Sequence, residues 1–163
     1  MSKFSGKLSG LFRLFRFELP FTAGICVVVG QILALDAFPS PQQVIFGFLA
    51  VFFVSASALI LNDYFDVESD RINAPERPVP AGLVSKSEVL ILFGLVSLGG
   101  FFFGALIHLQ ALAVLILVWA VGVLYNWRFK HFGLLGNLMV SFSVGMTFIY
   151  GGVVVNQVWQ PSV

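Results

Sequence analysis

Charge is scarce in this sequence: Asp, Glu, Lys and Arg make up 10% of its 163 residues, against about a quarter in a soluble domain. A water-facing globular surface is excluded on that ground. No basic face or low-complexity tract is present, so nucleic acid is not an expected partner. The only cysteine, Cys26, rules out an intramolecular disulfide and leaves the redox compartment unread. It sits inside an apolar run and reads as a buried structural thiol. A cleaved signal peptide is not expected either: the basic stretch at the start is long, the apolar run after it exceeds a signal core, and no A-x-A site closes it.

Apolar bulk is plentiful: 58% of the residues are hydrophobic and 19 are Phe. They gather into five runs, near residues 17–35, 44–61, 89–107, 111–127 and 138–155. As helices rising about 1.5 Å per residue, these runs match a hydrocarbon core about 30 Å thick. The expected fold class is therefore all-α, a polytopic transmembrane helical bundle with membrane lipid as its solvent.

The formal net charge of +1 conceals an asymmetry in the nine Lys and Arg residues. Lys3, Lys7, Arg13 and Arg16 precede the first run, Arg71, Arg77 and Lys86 follow the second, and Arg128 and Lys130 follow the fourth. The connections at 36–43 and 108–110, and the tail after Asn156, carry none. The positive-inside rule then puts the N-terminus and the polar connection 62–87 in the cytoplasm of a multi-pass cell-membrane protein. Gly100 and Gly104 have small-residue spacing suited to close helix approach, read as intramolecular packing with a dimer contact as the alternative. His108 and His131 fall at opposite ends of the spans and read as interfacial anchors.

Chemistry is expected in the connection 62–87, where most of the acids lie. With no helix breaker before Pro75, the second span is predicted to continue through it, placing Asn62, Asp66 and Asp70 on one face with Asp63 close by. Like charges one turn apart repel, so a counter-cation is required. Hard oxygen donors without Cys or His suit Mg²⁺ or Ca²⁺, and Mg²⁺ commonly combines one or two carboxylates with substrate phosphate oxygens. An EF-hand is excluded because Arg71 stands at the glycine position and Arg77 at the final glutamate position. On spacing alone, a solvated helix end paired with Arg71, Arg77 and Lys86 remains the alternative.

The pattern Asn62-Asp63-x-x-Asp66-x-x-x-Asp70 resembles the first aspartate-rich motif of the UbiA superfamily of intramembrane prenyltransferases. Arg71-Ile72-Asn73-Ala74-Pro75-Glu76-Arg77-Pro78-Val79-Pro80-Ala81-Gly82 resembles the loop that accompanies it, and Leu124-Tyr125-Asn126-Trp127-Arg128-Phe129-Lys130, with Leu135-Gly136-Asn137 after it, resembles a later stretch. The resemblance covers nearly all of residues 1–163. It implies Mg²⁺-dependent transfer of a prenyl group from an isoprenoid diphosphate to a lipophilic acceptor. Asn62, Asp63, Asp66 and Asp70 would hold metal; Arg71, Arg77, Lys130 and Arg16 would bind diphosphate; and Asp66, Asp70, Tyr125 and Lys130 would serve catalysis. For Tyr125 an interfacial aromatic is the alternative role.

Within the superfamily, the Asn-Asp-Tyr-Phe-Asp and Leu-Leu-Gly-Asn wording is most similar to archaeal-type members of ether-lipid synthesis. That implies geranylgeranyl transfer to geranylgeranylglyceryl phosphate, with a quinone or chlorophyll-type aromatic acceptor, or a non-catalytic isoprenoid-diphosphate-binding subunit, as alternatives. Two departures from the family pattern stand out. Arg16 is followed by Phe17, Glu18 and Leu19 rather than by a nearby Asn. Members have about nine spans and a second acidic motif, whereas five spans are read here, so the chain is expected to be an N-terminal part whose C-terminal half is missing, without transfer activity alone.

Overall fold

The structure is a computed structural model that describes the backbone of residues 3–155 and the side chains from residue 6 onward; residues 1–2, the side chains of Lys3, Phe4 and Ser5, and the tail from Asn156 lie outside the described residues. Among the described residues every regular element is helical. The order is α1 (Lys3–Leu14), α2 (Glu18–Leu35), α3 (Pro41–Phe65), α4 (Val67–Asn73), α5 (Lys86–Ile107), α6 (Leu109–Trp127), a single 3-10 turn (Phe129–His131) and α7 (Gly133–Val154). Five stretches, ending in α2, α3, α5, α6 and α7, are long and apolar enough to cross a membrane. With the family described below, they make this a multi-pass membrane protein.

Local chemistry fixes the helix starts. Ser40 opens α3 with a capping box, its hydroxyl accepting from the Gln43 amide while Gln43 reaches back, and Pro41 takes the first turn, where no donor is needed. Ser85 and Glu88 open α5 in the same way. His108 caps α6: its Nδ1 accepts from the Ala111 amide and its Nε2 lies 3.0 Å from the Val153 carbonyl of α7. His108 is therefore a structural joint between two helices. His131 lies in the 3-10 turn at the other end, as expected.

α3 is the central helix and packs against α2, α5, α6 and α7, while α2 also packs on α7. Small residues allow the approach. A Cβ on Gly100 would lie 2.8 Å from Val54 Cγ2 and 3.1 Å from the Ala50 carbonyl, and one on Gly104 would lie 2.9 Å from Leu115 Cδ2. The small-residue pair of α5 thus contacts α3 and α6, the intramolecular use expected of it.

Two features differ from the sequence expectation. Residues before the first span form a separate helix, α1, which lies over the connection: Leu14 and Val84 are buried in one apolar cluster, Arg13 donates to the Glu76 carbonyl at 2.8 Å, and Lys7 pairs with Glu88. The second difference is that α3 does not run on unbroken through the acidic stretch. Asp66, at φ −87° and ψ 2°, ends α3 and begins α4. The amides of Asp66 and Asp70 still bond to the carbonyls of Asn62 and Asp66, at 2.9 and 2.7 Å, so the break is a kink rather than an end.

Candidate active site at the charged end of the bundle

The kink divides the acids that the sequence placed on one face. Asp63 and Asp70 turn together toward the loop, where Arg77 Nη1 donates to both Asp70 oxygens at 2.7 Å and stands 3.9 Å from Asp63 Oδ1. Asp66 faces the other way and accepts from Lys130, brought in by the turn between α6 and α7. Asp63 takes a third cation, Arg16. Each of the three carboxylates is therefore met by a basic residue distant in sequence or across the loop. Asp63 is almost completely buried, Asp70 buried, and Lys130 largely so. Hydrogen bonding to Asp70 pushes the Arg77 guanidinium above its ordinary range.

Backbone geometry shows what brings these cations in. Arg16 separates α1 from α2 in the left-handed region at φ 41°, which costs a side-chain-bearing residue about 1–2 kcal/mol. The strain is offset by a guanidinium landing on a buried carboxylate. Arg77 is held by a run of turns: its amide bonds to the Ala74 carbonyl, the Ala81 amide bonds to its own carbonyl, and Pro78 accepts from Leu83 and Val84. Lys130 depends on Gly136, where a Cβ would lie 2.9 Å from the Phe129 carbonyl, so only glycine lets the turn fold back on α7.

Arg71 does not join the cluster. It pairs with Glu68 at 2.8 Å in solvent, both side chains more than half exposed. Among the described residues, no three acidic, His or Cys side chains are gathered closely enough to hold a metal ion by themselves.

Below the acids a cavity of about 520 Å³ opens among α2, α3, α6 and α7. Asn62 and Tyr125 line its charged end, so two of the sequence candidates face the cavity rather than the ion pairs. Cys26 also lines it and is half-buried, which corrects the expectation of a buried structural thiol. Asn126, to which the sequence assigned no role, is buried and donates from Nδ2 to the carbonyls of Ala58 and Gly122, tying α6 to α3. Its position beside Tyr125 in the quoted motif was the one available signal.

The bundle thus gathers acids and bases at one end, above an apolar cavity. The sequence profile of the UbiA prenyltransferase family matches residues 23–163, and the chain belongs to that family. It is 36% identical over 143 residues to digeranylgeranylglyceryl phosphate synthase of Methanothermobacter thermautotrophicus, covering 85% of this chain and 50% of that protein. It is 35% identical over 136 residues to the protein of the same name from Thermococcus gammatolerans, covering 83% and 49%. A solved structure from work on digeranylgeranylglyceryl phosphate synthase in membranes matches with a TM-score of 0.87 at 29% identity, covering 91% of this chain and 53% of that one. The chain spans about half the length of the curated relatives it matches.

Proposed function

We propose that residues 1–163 are the N-terminal part of a prenyltransferase that moves a geranylgeranyl group from its diphosphate to geranylgeranylglyceryl phosphate in ether-lipid synthesis. The observation carrying this reading is the set of ion pairs, Asp63 with Arg16, Asp66 with Lys130 and Asp70 with Arg77, at the end of the bundle where Asn62 and Tyr125 line an apolar cavity. The relatives named above supply the choice of acceptor. An aromatic acceptor would use the same diphosphate chemistry, but no relative named above points to one.

The acids and bases have separable tasks. Asn62, Asp66 and Asp70 offer only oxygen donors, which suits Mg²⁺; because the kink aims Asp66 and Asp70 apart, they would hold metal only with substrate phosphates bridging between them. Bound there, the ion would neutralise charge developing on the departing diphosphate. Asp63 is nearly buried behind Arg16 and Arg77 and holds those two cations in place. Lys130 and Arg77, at the same end of the bundle, would donate charge-assisted hydrogen bonds to phosphate oxygens. Tyr125 presents its ring and phenol where the allylic carbon enters. The cavity walls keep water from that carbon, which limits hydrolysis.

The charged end is proposed to face the cytoplasm, since the described basic residues outside the spans lie at that end. Single cysteines at Ser69 and Gln42 test this: labelling of Ser69→Cys from the cytoplasm and Gln42→Cys from outside is expected, and the reverse pattern overturns it. The site itself is tested by binding. Purified in lipid nanodiscs, the chain is expected to bind geranylgeranyl diphosphate in a Mg²⁺-dependent manner, and Asp66→Asn is expected to abolish that dependence. Binding indifferent to Asp66 overturns the site.

A further inference from the structure

The cavity has a defined far end. Along α3 its lining runs from Asn62 to Val51, about 16 Å at 1.5 Å per residue. The last lining residue on each of the other helices, counted away from the acids, is Cys26 on α2, Leu115 on α6 and Tyr150 on α7. Tyr150 is the largest of the fully buried side chains, and with Val51 and Leu115 it belongs to one buried cluster.

Directly beyond this level the helices close. A Cβ on Gly151 would lie 2.3 Å from the Val27 carbonyl and 2.7 Å from the Gln31 amide, and a Cβ on Gly30 would lie 2.2 Å from the Phe148 carbonyl. The backbones of α2 and α7 are thus in contact one residue past Tyr150, and the remaining obstacle at the bottom of the cavity is a phenol ring. Among the described residues its hydroxyl has no hydrogen-bond partner. A buried hydroxyl without a partner is unfavourable, so the residue's contribution here is the ring's volume.

The geometry points to Tyr150 as the floor that sets the longest isoprenoid tail the cavity accepts. This rests on the proposed prenyl diphosphate site, because a tail whose diphosphate sits at Asn62 and Asp66 runs down the cavity toward Tyr150. A tail that stops short of the ring gains buried apolar surface with every added isoprene unit. A tail that meets the ring must bend or push the floor aside, since packed interiors yield little.

The experiment measures binding of geranyl, farnesyl, geranylgeranyl and geranylfarnesyl diphosphates to the whole chain in nanodiscs with Mg²⁺. Affinity of the unaltered chain is expected to rise with tail length, then stop rising at one length. Tyr150→Ala is expected to move that limit at least one isoprene unit longer, with about a tenfold gain or more for the first excluded tail, the scale on which apolar pockets discriminate a methylene. Tyr150→Trp is expected to move it shorter, and Tyr150→Phe to leave it in place. The opposite direction of the tryptophan variant keeps the test decisive should the alanine variant fail to fold. An unchanged limit in a folded alanine or tryptophan variant overturns the floor. Absence of binding of any prenyl diphosphate to the unaltered chain overturns the underlying site reading and the floor with it.

Discussion

The two ends of the bundle are joined by different physics. At the charged end, segments far apart in sequence meet through the side chains of basic residues: Arg16 and Lys130 form ion pairs with Asp63 and Asp66, and Arg13 donates a hydrogen bond to the Glu76 carbonyl. At the opposite end, α2 and α7 meet backbone to backbone through Gly30 and Gly151, with His108 bonding to the Val153 carbonyl. Ion pairs can exchange partners when a charged ligand arrives, because phosphate oxygens offer a guanidinium or ammonium what a carboxylate offers. Backbone contact cannot be exchanged. The fold thus places its adaptable joint where chemistry is proposed and its fixed joint where the cavity must end.

The largest effect should come from forcing the fixed joint apart. Gly151→Leu puts a side chain where a Cβ already lies 2.3 Å from a main-chain carbonyl, so α2 and α7 must separate, at a cost of about 3 kcal/mol or more. Loss of a monodisperse, cooperatively melting protein is the expected outcome. Gly94→Ala is the control, because a Cβ there meets nothing within 4 Å and the change suits a helix interior. Equal melting temperatures for the two variants would show that the far end is not a backbone joint.

Much of this architecture was legible in the sequence, and the exceptions have physical reasons. The five apolar runs agree with the observed helices to within a few residues, because burial in lipid demands continuous apolar length. Gly100 and Gly104 behaved as expected for the same reason: close approach needs small residues. The helix α1 was not foreseen, since its mixed basic and apolar residues were read only for orientation and its partner surface around Val84 lies some 70 positions away. The kink at Asp66 left no mark either. No proline or glycine stands there, and Asp63 and Asp70 turn one way while Asp66 turns the other because Arg77 and Lys130 arrive from opposite sides. The same tertiary placement decides which acids share a cation, so the sequence could name these acidic and basic residues but not their pairing. Tyr150 and Gly151 were invisible as a floor because four helices must be assembled before it exists.

A smaller effect is expected from the adaptable joint, and it separates three basic residues that the sequence alone treated alike. Arg77→Ala and Lys130→Ala should each weaken binding of geranylgeranyl diphosphate by about 1.5–3 kcal/mol, the value of a hydrogen bond to a charged group. Arg77→Lys should recover only part of the loss, because an ammonium cannot offer phosphate oxygens the planar pair of donors that a guanidinium does. Arg71→Ala should be smallest. Its partner Glu68 lies in solvent with it, and exposed pairs of this kind contribute about 0–1 kcal/mol to stability. Titration of the three variants with the same diphosphate checks the ranking. A loss at Arg71 equal to that at Arg77 would mean that α4 turns over when substrate binds, bringing the Glu68 face into the site, and the division of labour between Asp63, Asp66 and Asp70 would have to be redrawn around that movement.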